Sequence, residues 1–151
     1  MNPPVLLYRV ANLFYRYKLK PVSGIISWLN RLFFSTWIPG SANIGSNFKL
    51  GYWGLGVVIH SNACIGNNCT IAQNVTIGRN FRDIKVPVIG DNVYIGAGTV
   101  VFGEIFIGDN VIIGANSVVN TDIPSGVIAV GNPAKIIKKN NMPYWEYDKV
   151  Q

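Results

Sequence analysis

From Ile59 to Val119 the chain reads IHSNAC IGNNCT IAQNVT IGRNFR DIKVPV IGDNVY IGAGTV VFGEIF IGDNVI IGANSV V. Written in sixes, its first column is Ile59, Ile65, Ile71, Ile77, Asp83, Ile89, Ile95, Val101, Ile107, Ile113 and Val119, so ten of eleven are Ile or Val. Ile, Leu and Val together supply only 44 of the 151 residues, so a fixed frame of this purity is not accidental. Gly follows the aliphatic at Gly66, Gly78, Gly90, Gly96, Gly108 and Gly114. The fourth position after it is small or β-branched at Ala63, Cys69, Val75, Val93, Thr99, Val111 and Ser117. Neither the helical period of 3.6 nor the strand period of 2 fits this pattern.

A six-residue unit is one short strand and one turn, and three units close a triangular coil. The aliphatic points inward and stacks on its counterpart in the next coil. Gly and Asn at the turns tolerate left-handed backbone. No unit buries its own apolar face, so the stacking of coils makes the core. Ile44-Gly45 and Leu50-Gly51 begin the pattern upstream, with three extra residues before Ile59. The repeat breaks at Arg79–Pro87, where either a degenerate unit stays in the coil or a loop is extruded. An extruded loop would place Arg79, Arg82, Asp83 and Lys85 beside an acceptor site.

Outside the repeat, residues 1–38 read as two short helices. Leu6, Val10, Leu13, Phe14 and Tyr17 fall at helical spacing; Pro21 breaks the pattern. Val22, Ile25, Ile26, Leu29, Leu32 and Phe33 then repeat it until Pro39-Gly40. The segment is aromatic and basic, which fits first a cap on the coil or a neighbouring subunit, and second a helix lying in a membrane interface. The resulting division is a helical cap over 1–40, a β-helix over 41–131 and a C-terminal tail over 132–151.

Composition narrows the function classes. Charged residues make up 13% of the chain and apolar ones 49%, which excludes a disordered segment and a coiled coil. No apolar run reaches the length of a membrane span, and the N-terminus does not read as a signal peptide. Two cysteines, Cys64 and Cys69, fit a reducing compartment, so a cytoplasmic location is expected, at the inner face of the membrane if the N-terminal helices bind there. The net charge is +6, and no acidic residue precedes Asp83. Such a basic half suits an anionic membrane or a phosphorylated ligand. No finger, RNP-type or helix-turn-helix pattern supports nucleic acid as partner. One histidine, His60, is too few for a histidine-rich metal site, and no metal is expected.

Four segments go beyond the repeat: Gly56-Val57-Val58-Ile59-His60, Gln73-Asn74-Val75-Thr76-Ile77-Gly78, Val88-Ile89-Gly90-Asp91-Asn92-Val93-Tyr94-Ile95-Gly96-Ala97-Gly98, and Gly131-Asn132-Pro133-Ala134-Lys135. In this order they resemble the hexapeptide-repeat acyltransferases, in the serine-acetyltransferase-like branch. The resemblance covers about Ile44 to Lys138. It implies an all-β left-handed parallel β-helix, here with a short N-terminal helical segment, assembled as a homotrimer with active sites between subunits. It also implies acetyl-CoA as acyl donor. Gly96, Ala97, Gly98, Ala115 and Ser117 would flank the pantetheine arm. Gly131, Asn132, Pro133, Ala134, Lys135 and Lys138 would meet the nucleotide end, where lysines suit phosphates.

The chain also departs from that branch. Trp53 stands where serine acetyltransferases carry the histidine of a D-H-x-x-G segment, and Val86 stands where they carry a second histidine before P-x-I. The carboxylate beside the first histidine is missing too. These departures lead away from free serine, and the expected acceptor is a sugar hydroxyl in cell-surface polysaccharide biosynthesis. Serine O-acetyltransfer, amino-sugar N-acetyltransfer and a non-catalytic β-helix scaffold are the alternatives.

Acyl transfer to a hydroxyl needs a base near the acceptor oxygen and donors for the oxyanion. His60 is the expected base, as a bulky polar ring where the repeat prefers Gly. Asn74 is the expected oxyanion or acceptor donor, and Trp53, Arg82 and Asp83 the expected acceptor contacts. Neither cysteine has a base beside it, so direct transfer is expected rather than an acyl-enzyme.

Overall fold

The computed structural model describes residues 2–81 and 84–149. Arg82 and Asp83, expected at the acceptor, lie outside the described residues.

Residues 43 to 130 wind into a parallel β-solenoid with three walls. The first wall stacks Asn43–Ile44, Cys64–Ile65, Val88–Ile89 and Phe106–Ile107. The second stacks Lys49–Leu50, Thr70–Ile71, Tyr94–Ile95, Ile112–Ile113 and Val127–Val130, and Lys135–Lys139 closes it antiparallel. The third stacks Val58–Ile59, Thr76–Gly78, Val100–Phe102 and Val118–Val119, with Trp37 bridged to Val58 at its start.

The register explains the period. Val88 lies on Phe106, Tyr94 on Ile112 and Val100 on Val118, a regular coil of three hexads. Every predicted column residue among those described is buried, and Ile59, Ile77, Val101, Ile107, Ile113 and Val119 are wholly so. Each fully buried aliphatic contributes roughly 1.5–3 kcal/mol against its exposed state. Two coils depart from the regular length. Cys64 pairs with Val88, one hexad further on, so the segment after Gly78 leaves the coil as an extruded loop. Asn43 pairs with Cys64, three residues over length, and a 3-10 turn at Gly51–Gly54 takes up the excess.

The N-terminal segment folds as α1 (Pro3–Arg16) and α2 (Lys20–Phe34). The break falls at Lys18, in left-handed backbone (φ 64), not at Pro21. Pro21 sits in the first turn of α2, where its missing N–H costs no hydrogen bond. α2 ends at Phe34, ahead of Pro39-Gly40, because Ser35 turns left-handed and Trp37 already belongs to the solenoid. α1 caps the first coil. The buried Tyr8 donates its hydroxyl to the Ala42 carbonyl (2.8 Å), and Asn12 Nδ2 donates to the Gly40 carbonyl (2.8 Å). The Arg9 guanidinium donates to the Ile44 and Gly45 carbonyls.

Candidate functional site

The expected site residues fall on the two edges of the third wall. At the edge shared with the second wall, one turn stacks on the next. The Asn74 amide donates to the Leu55 carbonyl (2.8 Å), Gly98 to Gln73 (3.0 Å), Asn116 to Ala97 (2.8 Å), and Val118 to Gly131 (2.9 Å). Trp53, Asn74, Gly96–Gly98, Ala115–Ser117 and Gly131–Ala134 therefore form a single column down this corner.

Stacking alone requires the glycines of that column. A Cβ on Gly96 would lie 2.5 Å from the Ala115 nitrogen, and one on Gly98 (φ +70) 2.3 Å from Asn116 Oδ1. Asn74 is likewise a corner residue in left-handed backbone (φ 58), with its amide oxygen over Gly56. Ser117 is buried. Its hydroxyl donates to the Gly114 carbonyl (2.7 Å) and accepts the Gly131 N–H (3.1 Å), which pins the terminal turn. What the column offers outward is Trp53, Asn74, Ala115 and Asn116, with Ala97 and Gly98 half-exposed, and then Gly131, Asn132 and Pro133. Ala134 packs against the core. Lys135 and Lys138 are exposed on the closing strand, which pairs them with Val130 and Ile128. Small side chains with two free ammonium groups at one end fit a thin, phosphate-ended ligand.

The top of the column is strained. Tyr52 (φ 46) and Trp53 (φ 55) are consecutive non-glycine residues in left-handed backbone. Such positions cost about 1–3 kcal/mol each and persist only where neighbours enforce them. The buried Thr36 hydroxyl does so, lying 2.7 Å from the Gly54 carbonyl and 3.1 Å from that of Trp53. The Trp53 ring meets Phe34 edge-on at 6.0 Å and, with Phe33, Tyr52 and Leu55, lines a cleft of about 480 Å³.

His60 lies at the opposite edge, where the third wall turns into the first. It shares a cleft of about 340 Å³ with Trp37, Pro39, Val58, Thr76 and Gly78. The extruded loop leaves this same corner after Gly78, and Lys85 of the loop pairs with Glu104. The Asn62 N–H donates to His60 Nδ1 at 3.1 Å. A backbone amide can only donate, so the neutral ring carries its proton on Nε2. That nitrogen is then a hydrogen-bond donor. The third wall therefore separates His60 from Asn74 and from the column.

Sequence reasoning missed a strap on the second wall. The C-terminal segment folds back through a 3-10 turn at Tyr144–Lys149. Tyr144 donates to the Asn68 carbonyl (3.0 Å), and its oxygen lies 2.6 Å from Thr70 Oγ1. Its ring packs on Tyr94 at 5.5 Å and on Trp145 at 5.0 Å. Burial raises the Tyr144 pKa above its ordinary 10.0, opposed by the Thr70 hydrogen bond. The only signal in the sequence was the aromatic run Tyr144-Trp145-Glu146-Tyr147.

The chain is 38% identical over 138 residues to a serine acetyltransferase of Helicobacter pylori, covering 90% of this chain and 80% of that protein. It belongs to the serine acetyltransferase family. A Synechococcus elongatus serine acetyltransferase is 36% identical over 140 residues, 91% of this chain and 57% of the relative. Among solved structures, the Neisseria gonorrhoeae serine acetyltransferase superposes with a TM-score of 0.86 at 31% identity, covering 98% of this chain and 58% of that one. The Brucella abortus serine acetyltransferase in complex with coenzyme A gives 0.87 at 29%, covering 91% and 55%. The chain thus spans little more than half the length of most of these proteins. No family model matches it.

These findings overturn the sugar-hydroxyl reading and its place in polysaccharide biosynthesis. That reading leaned on the basic, aromatic N-terminus and on the two replaced histidines. The N-terminal helices lie within the superposed region, and α1 is a cap that buries Val5, Tyr8 and Ala11. They are shared with that serine acetyltransferase and carry no sugar signal.

Proposed function

We propose that this chain transfers the acetyl group of acetyl-CoA to the hydroxyl of L-serine. The observation that carries the reading is the match along nine-tenths of the chain to serine acetyltransferases. Acetyl-CoA would lie along the column, its arm past Gly98 and Ala115 and its phosphates toward Lys135 and Lys138. In the reaction the serine O–H and the thioester C–S bonds break. The ester C–O bond forms, and the proton leaves on the CoA sulfur.

Within one chain the column and His60 stand on opposite edges of a wall. A working site therefore takes its column from one subunit and its His60 from a neighbour, which favours the homotrimer. His60 acts there through Nε2–H as a donor to the developing oxyanion, because its Nδ1 lone pair is engaged by Asn62. A neutral imidazole in such an electrophilic role is established chemistry. Arg79, exposed directly after the His60 cleft, would supply the cation for the serine carboxylate. Thiol release from acetyl-CoA, followed with a disulfide reagent, tests the proposal. Release that depends on L-serine supports it. Bound CoA without serine-dependent release refutes it and leaves a CoA-binding scaffold.

A further inference from the structure

Helix α2 is packed inside out. Its buried residues are the polar Ser23, Ser27 and Asn30, which face α1, where Asn30 Nδ2 donates to the Pro4 carbonyl at 3.0 Å. Ile26, Leu29 and Phe34 are half-buried, and its other large apolar residues face away. Ile25 is 60% exposed, Trp28 56%, Leu32 59% and Phe33 69%. Ile25, Trp28 and Leu32 are spaced i, i+3, i+7, so they form one stripe. A soluble helix buries such a stripe; an exposed one of this size marks a surface that another body covers.

The charge around the stripe selects the occupant. Lys18 and Lys20 are exposed at the start of α2 and Arg31 in its last turn, and no acidic residue occurs before Asp83. Lys20 lies 6.0 Å above the Tyr15 ring, and Arg31 lies 5.9 Å from that of Trp37. A second copy of this chain docked through the same face would bring these cations against their own kind with no carboxylate between them. A bilayer of anionic phospholipid offers both an acyl boundary for the stripe and phosphates for its rim. Among the described residues no helix is long and apolar enough to cross a membrane, so α2 lies along the surface.

We propose that the outward face of α2 docks the protein flat on an anionic phospholipid membrane. The inference stands apart from the acyl-transfer reading and is tested without substrate. The full chain is sedimented with vesicles of phosphatidylcholine, with and without about 30% phosphatidylglycerol. Binding to the anionic vesicles at least about tenfold tighter than to the neutral ones is expected, weakened by about 0.5 M salt. Trp28→Ser with Leu32→Ser abolishes it, and Lys20→Glu with Arg31→Glu removes the preference for anionic lipid. All four side chains are exposed or at the rim, so circular dichroism should show an unchanged fold. The proposal is overturned if the wild-type chain stays in the supernatant. It is also overturned if neutral and anionic vesicles bind it equally, or if Trp28→Ser with Leu32→Ser alters only the oligomer mass.

Discussion

The backbone amide of Asn62 donates to His60 Nδ1 at 3.1 Å and so fixes which ring nitrogen carries the proton. A base at Nε2 would need the opposite tautomer, with an N–H at Nδ1 directed against the N–H of Asn62. This separates two roles by substitution. Gln at position 60 keeps an N–H donor and has no basic nitrogen. His60→Gln should retain kcat within about tenfold of wild type, whereas His60→Ala should lose about 10²–10³-fold, the usual loss of one oxyanion donor. Equal loss in both variants would restore the base reading.

Ala115 is an exposed small residue of the column. Ala115→Trp should raise KM for acetyl-CoA at least about tenfold and leave the melting temperature unchanged, because no buried contact is altered. Mixed with His60→Ala and reassembled, it should recover about a quarter of wild-type activity, since one in four interfaces then pairs an intact column with an intact His60. No recovery would place both groups in one chain.

The two thiols should differ sharply. Burial pushes Cys69 up to about 11, and its Sγ sits 3.2 Å from the Gly90 carbonyl inside the coil. At pH 8 only about a thousandth of such a thiol is ionised. A thiol reagent should titrate Cys64 alone in the native protein and Cys69 only on unfolding. Rapid labelling of both would show that the coil opens.

Tyr144 should make the C-terminal strap sensitive to alkali. Its folded pKa is raised above the unfolded 10.0. The contribution is therefore complete below pH 10 and is lost as pH climbs through the folded value. Trp145 fluorescence should report release above pH 10. Tyr144→Phe should remove that transition and weaken the strap by about 1 kcal/mol, the usual worth of a hydrogen bond.

The solenoid was legible because one aliphatic per six residues is a geometric demand: Ile59, Ile77, Val101 and Val119 must each face the axis. The break at Arg79–Pro87 was visible too, yet only the pairing of Cys64 with Val88 shows that the loop leaves the coil. Helix limits were harder. Pro21 reads as a breaker but suits a first turn, and the true break at Lys18 depends on a single left-handed residue that no pattern marks. The position of His60 was legible and its tautomer was not, since Asn62 acts through a backbone amide common to every residue. The direction in which α2 turns its apolar residues was not legible, because periodicity gives a face and not where it points. The acceptor was misjudged from two absent histidines, where similarity along the whole fold weighs more.

The most direct test is the product itself. Protein, L-serine and acetyl-CoA labelled in its acetyl group are incubated, and the amino acid is weighed by mass spectrometry. Labelled O-acetylserine in many-fold excess over protein is the predicted result. Label that stays on CoA while the protein is folded and holds the nucleotide would contradict the account.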